Sequence, residues 1–127
     1  MDYMVLRGAQ KIGSSHFCSL EAHGEIANRF RFLIMKAIGL SLWQLRDRQP
    51  HNRFSLGTAL KVAEQCLVAI EQLHQIGFLH RDVKPGNFAI GREETQENHI
   101  IFVIDFGLCR KYRLLTLTSI VISKACA

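Results

Sequence analysis

Several things are missing from this 127-residue sequence, and each absence narrows the reading. Its four cysteines, Cys18, Cys66, Cys109 and Cys126, stand far apart with no C-x-x-C, so neither a zinc site nor a redox pair is signalled. The most apolar run, LLTLTSIVIS at residues 114–123, is too short for a bilayer span, which takes roughly 20 apolar residues. The start, MDYMVLRGAQ, has no continuous apolar core of the kind a secretory leader needs. Basic residues outnumber acidic ones, sixteen to eleven, but they are scattered and form no aromatic-interleaved stripe. The reading therefore expects no nucleic acid and no membrane partner, and an intracellular, reduced setting. No internal repeat or low-complexity tract is evident.

What is present is the makings of one domain. Apolar residues are 48% and charged residues 21%, enough for a core at this length. The first third reads as strands and loops. Phe17 to Leu20 is a weak strand, Glu21 to Asn28 with Gly24 a turn, and Phe30 to Met35 a stronger strand. Gly39 breaks that run. Ser41 is placed to cap a short helix carrying Leu42, Trp43 and Leu45. Ser55 caps a longer one from Leu56 to about Gln75, with an expected apolar stripe at Leu60, Ala63, Leu67, Ile70 and Leu73, and Gly77 as its stop. A loop follows, then Phe88 to Ile90 and residues 100–104 as the two arms of a hairpin around the polar 92–99 segment.

The loop between helix and hairpin, HRDVKPGN at residues 80–87, carries the chemistry. Phosphoryl transfer needs an acceptor for the hydroxyl proton, a cation near the transferring phosphate and an oxygen ligand for Mg2+. Asp82, Lys84 and Asn87 are the residue types for these three tasks, and Pro85 stiffens the backbone between them. The spacing H-R-D-x-x-x-x-N is that of a kinase catalytic loop. A second hard oxygen ligand stands downstream in Asp105-Phe106-Gly107. Taken singly these matches are weak, a surface lysine or a capping aspartate. Each has a chance of about 1 in 20 by average usage, so the joint match is not accidental.

FLHRDVKPGNFAIG and VIDFGLCRKY resemble the casein kinase 1 group of Ser/Thr protein kinases. LSLWQLRDRQP and GFLHRD look most like its tau-tubulin kinase branch. The resemblance covers roughly Asp2 to Arg113 and implies an α+β class. The expected architecture is a fragment of the two-lobed kinase fold: the end of the small-lobe sheet, the hinge, the first large-lobe helices and the catalytic hairpin. It implies ATP and Mg2+, with Asp82 as proton acceptor, Lys84 steadying the phosphate, and Asn87 and Asp105 as metal ligands. His80 and Arg81 look like structural members of the loop. Met35 aligns with the back of the adenine pocket. Lys36 to Gly39 looks like the hinge, placing Ile38 at the nucleotide. Asp2 aligns where the family has a helix Glu.

The sequence also departs from that pattern. It contains no Gly-rich phosphate-covering loop, no V-A-I-K lysine and no A-P-E. Residues 1–113 are expected to be kinase-like, and Leu114 to Ala127 a non-family apolar tail. The helix and sheets are expected to leave apolar surface exposed. Three readings stay open: a Ser/Thr kinase acting on a protein, with acidic or phosphorylated segments favoured by the net charge of +5; a truncated pseudokinase serving as a binding module; and a non-functional fragment. On its own the chain is expected to be inactive.

Overall fold

The computed structural model describes residues 1–27 and 29–112. The chain opens with helix α1, Asp2–Lys11, which the reading of the first third as strands and loops missed. Val5, Leu6 and Ala9 share one buried face of it, against β1 and α3. Asp2 in the first turn and Lys11 in the last complement the helix dipole. Ten residues are marginal as an isolated helix, so burial of that face holds it.

Strand β1 is Leu20–Ile26 and β2 is Phe30–Met35, an antiparallel pair running from Ile26 opposite Phe30 to Leu20 opposite Met35. β2 falls where expected. β1 replaces most of the expected turn at Glu21–Asn28, and the strand expected at Phe17 to Leu20 is irregular up to Leu20. The cause lies at Gly24, read as a turn signal. It sits opposite Phe32, and a Cβ there would lie 2.8 Å from the Phe32 Cζ. The glycine serves a close approach inside a strand.

Helix α2, Leu42–Asp47, follows the expected cap. Gln44 N donates to Ser41 Oγ at 3.3 Å, and Ser41 N donates back to Gln44 Oε1 at 3.0 Å. Helix α3, Leu56–Gln75, is capped by Ser55 and ends before Gly77, whose φ of +86° suits glycine. Its length was legible; its buried face was legible only at the C-terminal end, at Ile70 and Leu73. Leu60 and Leu67 are 63% and 72% exposed. Of the expected stripe, Leu73 is buried and Ile70 packs against the core, while Ala63 is exposed; Ala69, Val62 and Cys66 complete the inner face. The reason is polar. Gln65 lies on the inner face, where its Oε1 accepts from Ile101 N at 2.8 Å and its Nε2 donates to His99 O at 2.9 Å. A reading that sends every polar residue outward rotates the helix away from this face.

Strands β3, Phe78–Leu79, β4, Phe88–Ile90, β5, Ile101–Val103, and β6, Arg110–Lys111, complete the described residues. β4 and β5 form the expected hairpin, Phe88 opposite Val103 and Ile90 opposite Ile101. β3 pairs antiparallel with β6. The core gathers Leu6, Leu73, Phe78, Phe88, Phe102 and Val103 from α1, α3 and these strands, with Phe17 and Phe106 from the connecting segments. Apolar surface is left open, as expected, at Leu56, Leu60 and Leu67 on α3 and at Val83. No helix among the described residues is long and apolar enough to cross a membrane. The expected tail from Leu114 lies outside the described residues.

Candidate active site

The two short sheets place the site. β3 runs into the 80–87 loop, the loop runs into β4, and β5 delivers Asp105, with β6 returning beside β3. The seam between these elements is hydrogen bonded at each level. Ile104 N donates to Asn87 O at 2.9 Å. His80 is buried, and its Nε2 donates to Ile104 O at 3.1 Å. Its Nδ1 has no partner among the described residues. Arg81 Nε donates to Leu108 O at 2.6 Å. Phe106 is buried between Phe17, with ring centroids 5.8 Å apart, and His80, at 5.9 Å.

Within the loop, one carboxylate is the hub. Asp82 Oδ2 accepts from Lys84 Nζ at 2.6 Å and from Asn87 Nδ2 at 2.9 Å. Asn87 Nδ2 also donates to Asp82 O at 2.8 Å. A 3-10 turn at Pro85–Asn87 makes this closure, with Asn87 N donating to Lys84 O at 2.9 Å. The hydrogen bond from Lys84 and then that from Asn87 hold the Asp82 carboxyl below its usual range, and Asp82 in turn raises Lys84. Asp82 is therefore an anion at neutral pH, held between two donors.

Asp105 stands beside this network without a hydrogen bond to it among the described residues. Its Oδ1 accepts from Gly107 N at 3.3 Å. It lies near enough that its charge helps raise Lys84. Arg81 and Asp105 both adopt left-handed backbone, φ +67° and +61°. Such conformations are uncommon for residues other than glycine.

A cleft of about 680 Å³ opens between β2 and the segment after it on one side and β5 with Asp105 and Phe106 on the other. That is within the usual range for small-ligand sites. Met35, Lys36 and Ile38 line it, and so does Asp2. Gly39 packs on the hairpin instead, its N–H donating to Ile90 O at 2.8 Å. The sequence reading missed Leu6 and Cys18 in the lining, and the ion pair of Lys36 Nζ with Glu97 Oε2 at 2.6 Å. Nothing in the sequence points to Glu97. It belongs to a polar loop some sixty positions from its partner.

Residues 19–125 match the protein kinase domain family. The chain belongs to that family. The match crosses the boundary expected at residue 113. The chain is 42% identical over 87 residues to a probable serine/threonine-protein kinase of Dictyostelium discoideum, covering 68% of this chain and 17% of that protein. It is 35% identical over 113 residues to a putative casein kinase I of Caenorhabditis elegans, 89% of this chain and 32% of that one. It is 38% identical over 112 residues to the serine/threonine-protein kinase spe-6 of the same species, 88% of this chain and 28% of that one. The chain thus spans about a third or less of the length of these curated relatives. Its helices and small antiparallel sheets are those of part of the two-lobed kinase fold.

Protein kinases generally use ATP and Mg2+. The donor set here fits that metal. Mg2+ is held by one or two carboxylates together with phosphate oxygens and waters, seldom by an all-protein cage. Among the described residues no cluster of three His, Cys, Asp or Glu could form such a cage. Asp105 offers a carboxylate, and Asn87, with its Nδ2 turned to Asp82, keeps its amide oxygen free of protein donors among the described residues.

Proposed function

We propose that this chain carries the catalytic centre of a casein kinase 1-type Ser/Thr kinase, of the tau-tubulin branch, passing the ATP γ-phosphate to a protein hydroxyl. The observation that supports it most is the closed Asp82–Lys84–Asn87 network, joined through Asn87 O and Ile104 N to the residue before Asp105. One turn and one strand pair bring a base, a cation and two oxygen ligands together.

Each residue then has a task. Asp82, an anion held by Lys84 and Asn87, takes the proton of the substrate Ser or Thr hydroxyl. Lys84 is shared between Asp82 and the phosphoryl oxygens that arrive beside it. Asn87 Oδ1 and the Asp105 carboxylate would hold Mg2+, whose charge would offset that of the phosphates. Ile38 presents free backbone groups to the adenine edge. The basic balance, +5, favours substrates with acidic or phosphorylated segments.

Transfer of this kind rests on positioning and electrostatics, so a partial site loses most of its rate. Each missing electrostatic contact costs on the order of 100-fold or more. The 127 residues alone, lacking a Gly-rich loop and a V-A-I-K lysine, are therefore expected to give no transfer above background. The test is radiolabelled phosphate transfer to casein or tubulin by three proteins: this chain, a longer one supplying the whole kinase domain, and the longer one with Asp82→Asn. The longer chain should be active and its Asp82→Asn variant dead. Asp82-dependent turnover by the short chain overturns the inactivity of the part. A dead longer chain overturns the kinase reading in favour of a binding module.

A further inference from the structure

The segment Lys36–Gly39 is held at both ends by the β4–β5 hairpin and free between. At its far end Gly39 N donates to Ile90 O at 2.8 Å, and Ile90 N donates to Leu40 O at 2.9 Å. A Cβ on Gly39 would sit 2.9 Å from Ile90 O, so the two backbones touch. At its near end the bond is ionic: Lys36 Nζ meets Glu97 Oε2 at 2.6 Å. Between these points the N–H groups of Ala37 and Ile38 make no hydrogen bond among the described residues.

Glu97 is prepared for this contact. Thr95 Oγ1 donates to the same Oε2 at 2.7 Å. Glu97 N donates to Arg92 O at 3.1 Å, and Ile100 N donates to Glu97 O at 2.9 Å. Gly91 lies against it so closely that a Cβ there would fall 2.3 Å from Glu97 O. The carboxylate is thus fixed by its own loop before Lys36 reaches it. The pair is also shielded, with side chains 30% and 25% exposed, so it is less screened than a surface pair.

We propose that Lys36 and Glu97 form a latch that sets the hinge on the hairpin and so positions the Ile38 backbone for the nucleotide base. Both are positioning residues; neither touches phosphate. This rests on the proposed nucleotide site. Lys36 N also donates to Ser19 O at 3.1 Å, which ties the segment to the start of β1 and not to the hairpin. Without the ion pair, the segment would be joined to the hairpin only at Gly39 and Leu40, and the free N–H groups would shift relative to Val103 and Ile104 across the cleft. Ordering them then falls to the ligand, which lowers its affinity.

The test uses the whole chain with Lys36→Met, Glu97→Gln, and the exchanged pair Lys36→Glu with Glu97→Lys. Amide hydrogen exchange at Gly39 is read without ligand, and Mg-ADP affinity by calorimetry. Each single variant should exchange faster at Gly39 and bind about 3- to 10-fold more weakly, the exchanged pair recovering both. Circular dichroism of each variant checks that it is folded. Unchanged Gly39 exchange in folded single variants overturns the latch. So does weakening that the exchanged pair leaves in place together with its fast exchange. If the unsubstituted chain fails to bind Mg-ADP, the nucleotide reading falls, and the latch is judged by the exchange result alone.

Discussion

The Ile104 N–H donates to the Asn87 carbonyl at 2.9 Å, and that one bond ties the end of the 80–87 loop to the residue before Asp105. The ladder behind it is three residue pairs long. Side chains that stand 18 positions apart are thereby made neighbours at one end of a hairpin.

Nucleotide binding by this chain should depend on both oxygen ligands and be weak. Titration with Mg-ATP should show loss of the metal-dependent part in Asp105→Asn. Binding to the adenine side of the cleft, measured with adenosine, should survive. Metal-dependent binding that ignores Asp105 would refute the assignment.

Asp82 should titrate below the ordinary carboxylate range, because Lys84 and Asn87 donate to its ionised form. Lys84→Met removes the larger cause, so the Asp82 pKa should rise toward its usual value. A carboxyl whose folded pKa is lowered stabilises the fold above its unfolded pKa and loses that contribution as pH falls through the folded one. The measurement is the Asp82 side-chain carbon shift against pH from about 2 to 7, in both proteins. Equal midpoints would mean the ion pair is absent in solution.

The two faces of α3 should answer differently to substitution. Leu73 is fully buried, and Leu73→Ala should cost about 2–5 kcal/mol. Leu67, 72% exposed, should tolerate Leu67→Gln within about 0.5 kcal/mol and gain solubility. Urea unfolding gives both values. A large loss at Leu67 would restore the stripe read from the sequence.

Gly91→Ala should be poorly tolerated. The new methyl would fall 2.3 Å from the Glu97 carbonyl, a backbone atom that has no side-chain freedom with which to move. Overpacking of this kind costs about 1–3 kcal/mol. Thermal unfolding should report it, together with faster Gly39 exchange if Glu97 is displaced.

The sequence made local chemistry legible and relative orientation much less so. Ser41 and Ser55 announced their helices because a cap acts on its own next turn. The 80–87 loop was readable because its residues meet through a single turn. Helix α1 was not, since a short helix is held by what it packs on. The inner face of α3 was legible only at Ile70 and Leu73, because Gln65 turns its polarity to β5 rather than to water. Lys36 and Glu97 met through folding alone, and a pattern read along the chain has no access to such a pair.

The left-handed backbone at Arg81 and Asp105 gives selection two opposed tasks. Each such residue costs about 1–2 kcal/mol relative to a relaxed backbone. Glycine would be more comfortable at both positions, yet it would delete the guanidinium bound to Leu108 O and the carboxylate beside the cleft. A screen for thermal stability alone would thus drift toward glycine at the very places where a screen for phosphate transfer, run on the longer chain of the proposal, would forbid it. The two screens, run side by side on this stretch of chain, would separate the residues kept for folding from those kept for chemistry.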